Sequence, residues 1–175
     1  MNPPVERFTR LSRALHWLMA LLILSILFIG IGMVSTVSPR YHELLSVHKS
    51  IGMVIFVLAA IRLINRLLTR QPLLPADLPA WQRVLAKASH YILYALMFAL
   101  PLVGWSMLSA GGYPVLIFDH LELPSILPLD AGLYATLRRT HTILAFLLFG
   151  VFLTHLSAAL FHALIRRDQV LESIT

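Results

Sequence analysis

The stretch THTILAFLLFGVFLTHLSAALFHALI, residues 140–165, decides how this chain folds. It contains no Asp, Glu, Lys or Arg. At 1.5 Å of rise per residue it makes about 39 Å of helix, more than a hydrocarbon core of about 30 Å requires. It therefore predicts a membrane-spanning helix. Two further intervals are equally free of charge, residues 14–39 and 88–118. The first is too long for the apolar region of a signal peptide, about 7–15 residues, and no clean small-x-small site follows it, so it reads as a retained helix. A fourth span is less tidy, because only the twelve residues 50–61 separate Lys49 from Arg62. That helix must extend both ways, with the long stems of Lys49 and Arg62 reaching towards the interfaces.

Composition agrees with this reading. The 175 residues are 58% apolar and 13% charged, with a mean hydropathy of +0.80, whereas a soluble domain is about 45–50% apolar and about 25% charged. The net charge of +6 does not indicate nucleic acid, because the basic residues punctuate apolar runs instead of gathering on a polar face. With four spans, Arg7, Arg10, Arg13, Arg62, Arg66, Arg70, Arg83, Lys87, Arg166 and Arg167 fall on one side, and only Arg40, Lys49, Arg138 and Arg139 on the other. The positive-inside rule then puts both termini in the cytoplasm. The expected fold is all-α, one integral membrane four-helix bundle over residues 1–175, with spans near 12–34, 42–68, 88–109 and 139–165. The connection from 110 to 137 carries Gly111, Gly112, Pro114, Pro124 and Pro128, which predicts loops and short turns. Its apolar residues 113–118 suit the membrane surface or a cover over something between helices.

Cysteine is absent. That excludes disulfides, iron–sulfur clusters, thiolate-ligated haem and covalent haem attachment. Eight histidines remain, and ionisable groups inside a bilayer usually mark function. His16 falls at the cytoplasmic end of the first helix, His48 at the outer end of the second, and His90 at the start of the third. His42 and His120 fall in the outer connections and read as solvated.

The informative spacing lies on the last helix. His141 and His155 are fourteen residues apart, about 21 Å of helix, and fourteen steps of about 100° end only about 40° short of four full turns. Two imidazoles on nearly one face at two depths suit two stacked haems, each completed by a histidine from another helix. Zinc would need its ligands at a single depth. By depth His48 faces His141. At the inner site His16 has three possible partners, His155, His162 and His90. His162 matches its shallow depth best, and His155 does so only if the first helix tilts.

Beyond spacing, the segments SRALHWL (12–18), VHKSIG (47–52), HYILYALMFALPLVG (90–104), RRTHT (138–142) and THL (154–156) resemble the bacterial cytochrome b561 family, in order and over essentially the whole chain. The resemblance implies an inner-membrane four-helix bundle with two non-covalent b haems. It implies His16 with His155 for the cytoplasmic iron and His48 with His141 for the periplasmic one. That choice favours His155 over His162, and helix tilts of about 20° allow it. His90 and His162 then become candidates for quinone contact or hydrogen bonding near the inner haem. Arg13 on the inner side, and Lys49, Arg138 and Arg139 on the outer, are candidates for the haem propionates, since Arg pairs carboxylates bidentately. Pro101 and Gly104 are expected to bend or thin the third helix beside a macrocycle, and Gly30, Gly32 and Gly52 to admit close approach.

The expected function is electron transfer between a periplasmic donor and the quinone pool, with ubiquinone as acceptor and membrane lipid as surroundings. Superoxide is a second-rank donor. A positive outer funnel would attract it, and the acidic outer connection (Asp119, Glu122, Asp130) opposes it. Two other readings are a haem-bearing anchor for a redox partner protein and a haem-free proton-coupled transporter.

Overall fold

A computed structural model describes residues 7–70, 72, 78–168 and 170–175. Arg7 and the other basic residues of the topology count lie within these. Four long helices account for most of the chain: α1 Arg10–Ser35, α2 Arg40–Leu68, α3 Ala80–Ala110 and α4 Ala131–Phe161. A single π-helical turn, His162–Arg166, extends α4. All four are long and apolar enough to cross a membrane.

Their ends follow from local chemistry. Thr9 caps α1 by accepting from the Ser12 N–H at 3.2 Å, and Asp130 caps α4 by accepting from Leu133 N–H at 2.9 Å. Arg167, at φ 52°, closes the π turn. The helices run past the charge-free intervals: α3 starts eight residues before the expected span and α4 likewise. A bilayer limits which residues are apolar, but a helix continues until capping or proline stops it. His90 consequently lies ten residues inside α3, not at its start, and His42 belongs to the first turn of α2 instead of a connection.

Bulky side chains such as Leu21, Phe28 and Phe146 point outward, at 62%, 66% and 73% exposure. Facing lipid, they cost nothing. Association within the bundle therefore rests on close packing instead of a hydrophobic drive. α1 packs along α2 and α3 along α4, and α2 meets α3. Met19, Ile23, Ile55, Met97, Leu100 and Leu148 form an apolar layer midway along the bundle, with Ala59 fully enclosed. α4 has no extended packing against α1 or α2. That seam is where the histidines reach across.

One end of the bundle gathers both ends of the described chain. Phe8 N–H donates to Ser173 O at 2.9 Å, and Trp17 Nε1 donates to Ile174 O at 3.1 Å. The opposite end carries a short antiparallel hairpin, β1 Val115–Ile117 and β2 Leu121–Leu123. Phe118 and Asp119 take positive φ values of 51° and 59° at its turn. Val115 and Ile117 bury themselves against Leu108 with Met53 and Trp105 alongside, so the apolar 113–118 segment does cover helices. Ser50, only 3% exposed, accepts from Phe118 N–H at 2.8 Å and donates to Ser46 O at 3.0 Å. Ser46 in turn donates to the Asp119 carboxylate at 2.6 Å. Ser50→Ala leaves the Phe118 N–H without an acceptor and should cost about 1–3 kcal/mol. The expected readout is a lower unfolding temperature in detergent and faster amide exchange at Phe118.

Candidate functional site

Four of the predicted histidines meet in two pairs across the open seam. At the end holding the chain termini, the ring centres of His16 on α1 and His155 on α4 lie 6.3 Å apart, with planes at 59°. At the hairpin end, His48 on α2 and His141 on α4 lie 6.2 Å apart, at 65°. The apolar layer around Leu148 separates the pairs, as the fourteen-residue interval on α4 requires.

Small residues make room beside the hairpin-end pair. A Cβ on Gly104 would lie 3.4 Å from His141 Cε1, and one on Gly30 would lie 3.9 Å from His48 Cε1. Gly104 is one turn beyond Pro101, which deprives the preceding turn of α3 of one hydrogen bond. Gly32 and Gly52 meet only Leu44 and Ile26, so they serve ordinary helix contact. Nδ1 of His48 and Nδ1 of His141 are both buried without a hydrogen-bond partner. The Leu100 carbonyl lies beside His141 but forms no bond with that nitrogen.

The other end is more crowded. His90 on α3 stands 5.2 Å from His155, ring centre to ring centre. Its Nδ1 is 2.7 Å from the Ala86 carbonyl, so that nitrogen carries the proton as donor and Nε2 is left as the acceptor. Among the described residues no three such groups converge on a single ion position. His162 does not join them. Its Nδ1 lies 2.6 Å from Asp168 Oδ2, which Arg166 Nε also contacts at 3.2 Å. The π turn directs His162 to the C-terminal segment, and that removes the depth match with His16. His155 instead is the α4 residue whose ring stands beside His16.

Arg13 Nη1 donates to the Thr175 carbonyl, while its Nε is buried and unpartnered. Arg138 and Arg139 are exposed near the hairpin end and border a shallow recess with Tyr134 and Thr142. Lys49 is partly buried. Arg62 is the residue that sequence reasoning misplaced. Instead of extending to the interface, it donates through Nε to the Tyr94 hydroxyl at 3.1 Å, which holds it near His16, His90 and His155. Its signal in the sequence was the shortness of the charge-free run on α2, which leaves this cation at membrane depth.

The family model of the prokaryotic cytochrome b561 matches residues 7–175. The chain is 32% identical to cytochrome b561 homolog 2 of Escherichia coli (strain K12), over 98% of this chain and 92% of that protein. Homolog 1 of the same organism is 28% identical over 95% and 96% of the two chains. A protein of Yersinia pestis named probable superoxide oxidase CybB is 29% identical over 95% and 94%. The chain belongs to the prokaryotic cytochrome b561 family, multi-pass bacterial membrane proteins that bind haem b and transfer electrons.

Proposed function

We propose that this chain carries two b haems in the inner membrane and passes electrons along the bundle to the quinone pool. His16 with His155 would hold one iron, and His48 with His141 the other. The observation that carries this reading is the ring spacing of the two pairs. Two imidazoles that held one iron between them at about 2 Å each would have ring centres about 6 Å apart. The measured separations of 6.3 and 6.2 Å match that requirement. The unpacked seam beside α4 supports it too, because a flat macrocycle needs width between helices. Bound there, haem supplies one-electron redox chemistry at its iron.

The chain's own residues do the rest. The central apolar layer keeps water and protons out of the path between the pairs. Unpartnered Arg13 Nε suits a propionate at the termini end, and Lys49, Arg138 and Arg139 are the candidates at the hairpin end. His90, with Nε2 free to accept, is suited to hydrogen bonding with a quinone head group, and His162 borders the same end. The positive-inside count favours a cytoplasmic location for that end.

Mixing anaerobically reduced, haem-loaded protein with a short-chain ubiquinone tests the acceptor. Rapid haem reoxidation is expected, and none beyond the buffer control would refute it. Superoxide is a second reading for the donor. The name of the Yersinia relative and the exposed Arg138 and Arg139 favour it. Rapid mixing of oxidised protein with superoxide should reduce haem faster than spontaneous dismutation allows; no reduction above that background rejects superoxide as donor.

A further inference from the structure

A partly buried cation, Arg62, is held at the level of the termini-end pair. It lies near all three histidines of the termini end, with Arg66 also near His90, while the cations of the hairpin end are Lys49 and the exposed Arg138 and Arg139. Hydrogen bonds fix its level. Asn65, three residues further along α2, donates through Nδ2 to Ser12 Oγ at 2.7 Å. Ser12 lies one turn before His16 on the antiparallel α1. Arg62 and His16 therefore both sit about one turn towards the midplane from this contact. Across the bundle Arg62 is tied to Tyr94, one turn beyond His90 and only 9% exposed within the apolar layer. All four helices thus contribute polar groups here, among them His16, Arg62, His90 and His155.

Holding a permanent charge at this depth is costly unless it has a use. We propose that Arg62, positioned by Tyr94, sets the reduction potential of the termini-end haem above that of the hairpin-end haem. This rests on the di-haem reading above. Reduction removes one positive charge from an iron site, so a fixed cation nearby favours the reduced form. An electron shared between the sites then resides at the termini end. The electron lost by one iron is the electron gained by the other, and no proton or third reactant takes part. Tyr94 is a positioning residue. Its hydroxyl keeps the guanidinium from swinging out to the interface, where water and head groups would screen it.

Potentiometric titration of the purified haem-loaded protein tests this. Arg62→Gln should lower one midpoint and leave the other in place, changing the electron's distribution between the sites about tenfold, ~59 mV for one electron. In a His141→Ala background, which retains only the termini-end haem, the same substitution should move the single remaining midpoint. Tyr94→Phe should lower that midpoint by less, and Arg62→Lys should hold it nearer the wild-type value. Unmoved midpoints, or equal movement of both, overturn the proposal. Where Arg62→Gln fails to retain haem, Tyr94→Phe decides: an unmoved termini-end midpoint rejects the role. Wild-type protein lacking one of the two haems would instead refute the reading on which this rests.

Discussion

His141→Ala purified from haem-replete cells should carry about half the haem of the wild-type protein. The remaining imidazole, His48, would face a seam that α4 no longer bridges, and an iron bound by one histidine loses the second of its two protein bonds. The 6.2 Å pairing predicts that His48→Ala has the same effect. The termini-end haem should survive both, because the layer around Met97 and Leu148 separates the two sites and distant sites respond independently. Pyridine-haemochrome quantitation against protein mass measures this. Full retention in both variants would mean that these rings do not hold iron.

His155 and His162 give the second large contrast. His155→Ala should remove the termini-end haem, since His155 is the α4 residue whose ring stands 6.3 Å from His16. His162→Ala should leave haem content unchanged. What it loses is the 2.6 Å hydrogen bond to Asp168, so its expected phenotype is confined to the C-terminal turn. A partly exposed bond of this kind contributes about 1 kcal/mol, read as faster amide exchange over 168 and 170–175. Haem loss in His162→Ala with retention in His155→Ala would reverse the assignment.

Much of this architecture was legible because a bilayer imposes a coarse code. Charge-free runs marked α1, α3 and α4, and the fourteen-residue interval placed His141 and His155 on nearly one face by spacing alone. What the code does not carry is how far helices extend into water. Capping by Asp130 begins α4 nine residues before the apolar run does, and α3 begins eight residues early, which is why His90 lies deeper in its helix than expected.

Tertiary contacts account for the remaining differences. Depth along an ideal helix favoured His162 for the termini end, but the π turn and the Asp168 carboxylate commit that ring elsewhere. Arg62 looked like an interfacial anchor on α2 alone. Only Tyr94, thirty-two residues away on another helix, turns it inward. The hairpin carried proline and glycine signals, yet its turn uses positive φ at Phe118 and Asp119. Contacts with Ser46 and Ser50 support that conformation, and residue types at the turn do not announce it.

Two imidazole pairs on opposite sides of an apolar layer are proposed to hold two haems in one chain. A reduced-minus-oxidised spectrum with pyridine-haemochrome stoichiometry on the purified, haem-loaded protein tests it most directly. The expected result is b-type bands and two haems per chain. A single haem, or no b-type absorption, would contradict it.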